Sequence, residues 1–182
     1  MGLIQAVYRL FGYLKKVPKR KLYFDPRKPM ISEDIFQKFY WEDFYPDACE
    51  PIPLDISKPR GEYISTHCFV GANHARDKTN RRSMTGILIF CNRSPIIWHS
   101  KRKNGVETST FGSEFTAMKN SVELIAALRY KLRMFGVPID GSNEILCGNE
   151  AVYKNASTPE SQLRKKHHWP LPPYSCAMIS YA

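Results

Sequence analysis

Few residues in this chain have a type and spacing that suggest chemistry. Glu114 begins a long helical pattern, where an acidic side chain suits the helix dipole and N-terminal capping without any chemical role. His167 and His168 are adjacent, and neighbours on a helix point about 100° apart, so they seldom share a metal ion. The chain has neither a GxxxxGK[ST] phosphate loop nor a GxGxxG fingerprint. These residues alone indicate no complete catalytic site.

The five cysteines also indicate no metal site. They are odd in number and contain no CxxC pair. Cys68, Cys91 and Cys147 lie in apolar runs typical of strands. We expect reduced core residues of an intracellular protein rather than a disulfide framework or a zinc site.

Net charge is the compositional feature that bears on partners. Lys and Arg number 27 against 17 Asp and Glu, which gives +10 at pH 7. Such an excess favours a polyanionic partner such as nucleic acid, although many soluble proteins are basic without binding one. No run of about 20 apolar residues is present, so we expect no transmembrane helix.

Hydrophobic spacing predicts the elements that position these residues. Residues 3–16 have helical periodicity, and residues 63–70, 86–91 and 96–100 indicate three strands of an antiparallel meander. A long helix follows, capped by Ser109 or Thr110 and stopped by Gly136 and Pro138. Its apolar face is predicted to contain Phe115, Met118, Val122, Ile125, Leu128, Leu132 and Phe135. A strand near 144–147 and a helix from about Glu150 complete an α/β order with a mixed sheet.

We expect four segments, 1–24, 25–60, 61–168 and 169–182, and composition sets the second of them apart. Residues 25–60 are rich in proline, acidic and aromatic residues, and they are predicted to be an insertion or linker with one helix near 32–40. Its aromatic side chains are expected to pin it to the domain, because the local acidic charge disfavours base stacking. Residues 169–182 are expected to form an irregular, proline-rich tail.

Several short motifs follow one another in a fixed order. They are VGANHA at 70–75, RRSMTG at 81–86, IWHSKR at 97–102, SEF at 113–115, LCGNE at 146–150 and KKH at 165–167. In that order they resemble motifs of the ribonuclease H domain of copia-type retrotransposon Pol polyproteins. The corresponding motifs are the VDADHAG strand, RRSxTG turn, xxWxSKxQ strand end, S-(A/S)-E-(Y/F) helix start, CDNE strand and KH motif. Residues 5–15 resemble the helix that leads out of the preceding reverse transcriptase.

The resemblance covers residues 5–24 and 63–168, and it implies a ribonuclease H-like α/β fold. In that fold a mixed sheet with a three-stranded antiparallel meander is flanked by helices. Residues 1–24 would be a remnant of the reverse transcriptase connection helix. The family hydrolyses the RNA strand of RNA–DNA hybrids with two Mg²⁺ ions held by carboxylates. Its two aspartates map to Gly71 and Gly148, and its glutamate maps to Glu114.

The two glycines change what the resemblance implies about activity, because glycine has no side chain to hold a cation. Replacement ligands such as Asn73, Asp77 or Glu150 would need placement to within about 0.5 Å. The resemblance therefore implies a degenerate domain in which Glu114 is vestigial and no Mg²⁺ is bound. Two alternatives stay open: an active nuclease with a rearranged metal site, and a non-catalytic interaction module that docks through residues 25–60.

Binding of an RNA–DNA hybrid can outlast hydrolysis, because phosphate contacts need only donors and positive charge. The candidate residues lie at strand ends near the expected groove, although the basic ones are also ordinary surface charges. They are the cations Arg81, Arg82, Lys101, Arg102 and Lys103 and the neutral donors Ser113 and Asn149. We expect an intracellular protein without a membrane partner, and the sequence indicates no oligomeric state.

Overall fold

A computed structural model describes residues 3–19, 21–31, 52, 54–75, 79–157 and 177–181. The elements are α1 (Leu3–Lys16), β1 (Thr66–Asn73), β2 (Met84–Cys91), β3 (Ser94–Arg102), α2 (Thr110–Met134), β4 (Asn143–Cys147), α3 (Glu150–Ser157) and β5 (Ala177–Tyr181). The helix expected at 32–40, Asp77 and the motif at 165–167 lie outside the described residues.

The strands form one mixed sheet in the order β3-β2-β1-β4-β5. β1, β2 and β3 are paired antiparallel, whereas β4 is parallel to β1 and β5 is parallel to β4. The predicted meander and mixed sheet are therefore confirmed, and the chain has a ribonuclease H-like α/β fold. β1 is the central strand of the sheet and lies between β2 and β4.

One face of the sheet packs against α2 to form the core. Successive strand residues point to opposite faces, so Cys68 and Val70 face the helix while His67 and Phe69 face away from it. The core joins these β1 residues to Ile87, Ile89, Ile145, Phe115, Met118, Val122 and Ile125. On the other face His67 stacks on Phe90 with ring centroids 4.9 Å apart.

The long helix begins and ends where the sequence predicts. The Ser109 hydroxyl accepts a hydrogen bond from the Gly112 amide at 3.1 Å, which makes Ser109 the N-cap. Gly136 follows the helix with φ of +72°, a left-handed conformation that favours glycine. The predicted apolar face is wrong at Phe135, which is 81% exposed because it lies past the last helical turn. Arg129 is instead buried among the apolar positions.

The strand boundaries differ from the predicted ones in a way that matters for the site. The first strand was expected at 63–70, but β1 begins at Thr66 and continues to Asn73. Gly71 pairs with Gly86, and Asn73 pairs with Met84, so β2 extends the ladder beyond the apolar run. Backbone pairing needs no apolar side chain, and hydrophobicity alone therefore underestimates the strand.

The tail at 169–182 was expected to be irregular, and this prediction is wrong for Ala177–Tyr181. These residues form β5 and pair with the whole length of β4. An unpaired edge of β4 would leave its backbone donors and acceptors without partners, which favours addition of a strand. The proline run at 170–173 concealed this short strand from the sequence pattern.

The start of the proline-rich segment is attached to the domain. Asn92 donates to the Pro26 carbonyl at 2.7 Å, and Ser94 donates to the Asp25 carbonyl at 3.0 Å. Both acceptors lie beside the turn between β2 and β3, so residues 25–28 lie against that turn. In the described part of the chain, Cys68, Cys91 and Cys147 are free, as predicted. No described helix is long and apolar enough to cross a bilayer.

Candidate functional site

The two glycines and the glutamate of the resemblance meet at one end of the sheet. Val70 and Cys147 are paired in register on the parallel strands β1 and β4, so Gly71, which lies inside β1, and Gly148, which follows β4, come next at equivalent positions. Glu114 lies in the first turns of α2, and its Oε2 accepts a hydrogen bond from the Ala72 amide at 2.7 Å. The structure thus brings Gly71, Gly148 and Glu114 to a common edge.

The bond between Glu114 and Ala72 has a simple structural cause. β4 ends opposite Val70, and β1 continues beyond it, so the Ala72 amide has no partner from β4. The carboxylate supplies that partner. Burial raises the pKa of Glu114, while the Ala72 amide and the charge of Lys103 oppose the shift. Glu114 is therefore a half-buried acceptor that holds the N-terminus of α2 against β1.

Behind Glu114 lies a buried hydrogen-bond network that the sequence pattern did not indicate. The Ser113 hydroxyl is 2.9 Å from His74 Nδ1 and 2.9 Å from the Ser83 hydroxyl. Ser83 also accepts from the Ala75 amide at 3.2 Å. The network joins the end of β1, the start of β2 and the start of α2. Polar residues of three motifs meet here. Their common position at strand or helix ends was the sequence feature that could have predicted this network.

A groove of about 520 Å³ opens in front of these residues. Its lining includes Gly71, Gly86 and Ser100, which are paired across the three antiparallel strands, together with Glu114. A Cβ atom added at Gly71 or Gly148 would meet no heavy atom within 4 Å. The space where the family carries aspartate side chains is therefore open.

The described residues do not fit the two-ion centre that the resemblance implies. Glu114 provides one carboxylate, and one of its oxygens already accepts from the backbone. In the described ranges, no group of three or more His, Cys, Asp or Glu residues is placed to hold a metal ion. Mg²⁺ binds through oxygen ligands with near-ideal octahedral geometry, and this edge offers it little more than Glu114.

The predicted nucleic-acid contacts divide into exposed and buried groups. Arg81, Lys101 and Arg102 are exposed, and Arg82 is half-buried. Ser113 is fully buried within the network, so its predicted contact to a phosphate or ribose is wrong. Asn149 caps α3 instead, because its Oδ1 accepts from the Val152 amide at 3.1 Å.

Lys103 was also predicted as a surface contact, and its position is different. Its side chain is 8% exposed, and its ammonium donates to the Ser113 carbonyl at 2.7 Å. Burial lowers the pKa of Lys103, while the charges of Glu107 and Glu114 oppose this. Lys103 is therefore a structural cation beneath the groove. Its long aliphatic stem can be buried, and the sequence alone does not show that it is.

The chain is similar in sequence to two curated proteins. It is 26% identical over 108 residues to the retrovirus-related Pol polyprotein from transposon RE1 of Arabidopsis thaliana. It is 25% identical over 108 residues to the corresponding polyprotein from transposon RE2 of the same plant. Each match covers 59% of this chain and 7% of the relative, so the chain spans a small part of those proteins. No protein-family model matches the chain.

Two solved structures that resemble part of the chain are described as ribonucleases H. LC11-RNase H1 in complex with an RNA/DNA hybrid has a TM-score of 0.42 at 13% identity, covering 55% of this chain and 66% of that one. The N-terminal RNase H domain of a Mycobacterium tuberculosis protein has a TM-score of 0.42 at 10% identity, covering 65% and 81%.

Two observations on this chain agree. It is similar in sequence to Pol polyproteins, and its sheet has the order and strand directions that the motif resemblance implies. The chain is therefore similar in sequence to part of the Pol polyproteins of transposons, and its sheet has the topology of a ribonuclease H-like α/β fold.

Proposed function

We propose that this domain binds nucleic acid, with RNA–DNA hybrid as the expected partner, and does not hydrolyse it. The loss of hydrolysis is supported mainly by Gly71, inside β1, and Gly148, just after β4, which leave Glu114 as the single carboxylate of the three mapped positions. Two-ion hydrolysis needs several carboxylates to hold both cations, and one half-buried glutamate does not supply them. Glu114 then has a structural role as the acceptor for the Ala72 amide.

Retained binding is supported by charge and by the shape of the groove. The chain carries a net charge of +10, and the exposed residues Lys101 and Arg102 directly follow Ser100, which lines the groove. Phosphate contacts need donors and positive charge but no metal ion. Loss of two carboxylates at this edge also removes repulsion of the phosphate backbone.

The deciding experiment restores the two carboxylates. Native protein and the variant Gly71→Asp/Gly148→Asp are incubated with a labelled RNA–DNA hybrid in Mg²⁺ and in Mn²⁺. The added side chains enter open space, and neither glycine has a positive φ that would disfavour another residue. We expect no cleavage by the native chain and metal-dependent cleavage by the variant, at least about tenfold above background, as restored metal ligands lower the barrier.

The matched control is Gly71→Asn/Gly148→Asn, which adds side chains of nearly the same volume without charge. Cleavage by the aspartate variant alone assigns the gain to the carboxylates. Cleavage by the native chain that Glu114→Ala abolishes would show that the inactive assignment is wrong. Hybrid binding is measured separately by fluorescence anisotropy, and absence of binding at low salt would contradict the binding half of the proposal.

A further inference from the structure

A second cavity lies on the α2 side of the sheet, between the edge strand β3 and the first half of α2. Its volume is about 250 Å³. Pockets for drug-sized ligands are about 300–1,000 Å³, so this cavity suits a smaller group. His99, Asn104, Gly105 and Asn120 line it, and Thr85 separates it from the groove, since that residue lines both.

Two polar atoms of the cavity residues have no partner among the described residues. They are the Thr85 hydroxyl and His99 Nδ1, and both atoms are buried. A buried polar group without a hydrogen bond costs about 1–3 kcal/mol, and such groups often mark a bound water or ion. Both residues line the cavity, so a polar ligand bound there would satisfy these atoms.

The positive charge of the residues that line the cavity favours an anionic ligand. Lys101, Arg102 and Lys103 contribute three positive charges and Glu107 one negative charge, so the lining carries a net +2. Glu107 is already compensated, since its Oε1 accepts from the Thr116 hydroxyl at 3.1 Å and lies 3.9 Å from the Lys103 ammonium. Lys101 and Arg102 are exposed, so their attraction for a ligand in the cavity weakens as salt concentration rises.

We propose that this cavity between β3 and α2 is a binding site for a phosphate group. A phosphate oxygen accepts hydrogen bonds from several donors at once, and charged donors make the strongest of these bonds. Lys101 supplies charge, while the Thr85 hydroxyl, the Asn120 amide and the backbone of Gly105 supply neutral donors. The phosphate belongs to a nucleic-acid backbone or to a small phosphate. The first source rests on the proposed function, whereas the site itself does not.

The test is an NMR titration of the full chain with inorganic phosphate, with ionic strength kept constant by chloride. We expect saturable shifts of the Asn104, Gly105 and Asn120 resonances. Asn120→Asp adds a negative charge to the cavity wall, and we expect it to weaken binding about fivefold or more by repulsion. Glu107→Gln removes the opposing charge and retains an acceptor for Thr116, so we expect binding to tighten by a similar factor.

The control variant is Ala127→Glu, which adds a negative charge on an exposed part of the same helix and should leave the phosphate affinity unchanged. The proposal is overturned if no saturable shift occurs, or if Asn120→Asp and Glu107→Gln leave the affinity unchanged while both remain folded. A short RNA–DNA hybrid added to the phosphate complex then identifies the source. Displacement of phosphate supports the proposal with a backbone phosphate as ligand, and continued occupation supports it with a small phosphate.

Discussion

At the scale of single residues, Glu114 now serves structure rather than chemistry. Its carboxylate accepts from the Ala72 amide at 2.7 Å. Glu114→Ala leaves that amide without its acceptor, and we expect a loss of about 1–3 kcal/mol in the free energy of unfolding. Glu114→Gln retains an oxygen acceptor and should cost about 0.5 kcal/mol or less at pH 7. Urea unfolding of both variants measures the difference, and equal stability of the two would contradict the structural role.

The same residue predicts a pH dependence. Burial raises the pKa of Glu114 above its ordinary 4.5, so the folded state binds the proton more tightly than the unfolded state. The stabilisation from this proton is complete below the unfolded pKa and is lost as pH rises through the folded pKa. Relative to Glu114→Gln, the native chain should therefore lose stability as pH rises from the ordinary pKa of 4.5 through the raised pKa of the folded state. A constant difference across that range would contradict the raised pKa.

At the scale of elements, Arg129 ties the second half of α2 to the starts of β1 and β4. Its guanidinium donates to the Thr66 hydroxyl at 2.9 Å and to the Gly141 carbonyl at 2.7 Å, and Thr66 donates to Asn143 Oδ1 at 2.7 Å. Arg129 is 2% exposed, so its loss leaves buried acceptors unpaired. We expect Arg129→Met to lower the free energy of unfolding by about 2–5 kcal/mol.

The comparison variant for Arg129 is Lys131→Met, on the exposed side of the same helix. It should change stability by about 0.5 kcal/mol or less, as expected of an exposed substitution. Thermal and urea unfolding measure the stability of both variants. A larger loss in Arg129→Met would show that the buried hydrogen bonds of Arg129 stabilise the fold, and not positive charge on α2 in general. Similar losses in both would show that the network contributes little.

At the scale of the whole molecule, the charge of +10 predicts salt-sensitive binding. The logarithm of the affinity for a duplex falls with the logarithm of salt concentration by about 0.9 for each phosphate contact. Lys101→Gln/Arg102→Gln removes the two exposed cations that directly follow the groove residue Ser100, and it should reduce that slope by as much as about 1.8. Anisotropy titrations of a hybrid at several salt concentrations measure it.

A control with the same total charge is Lys58→Gln/Lys131→Gln. Lys131 lies in the last turn of α2, and Lys58 lies beside Gly136 just after it. At a rise of about 1.5 Å per residue, Lys131 is about 30 Å from the start of α2, where Glu114 lines the groove. The control should keep the native slope. Equal slopes in both double variants would show that net charge, and not the groove, determines binding.

Much of the fold followed from local patterns. The bounds of α1, an N-cap at Ser109 or Thr110, the stop at Gly136 and the antiparallel meander were all predictable, because periodicity and capping depend on neighbours in the chain. The extension of β1 to Asn73 and the strand β5 were not readable, because each depends on backbone pairing with a distant strand. The local sequence of a short polar or irregular stretch does not show that it pairs with a distant strand.

The candidate site divides in the same way. The order of the motifs and the glycines at 71 and 148 were determined by the sequence alone, since residue identity decides whether a carboxylate exists. Only the tertiary structure decided that Ser113 is buried, that Lys103 lies beneath the groove and that Glu114 holds the Ala72 amide. Burial and hydrogen bonding are set by contacts between residues far apart in the chain, and a single sequence does not display those contacts.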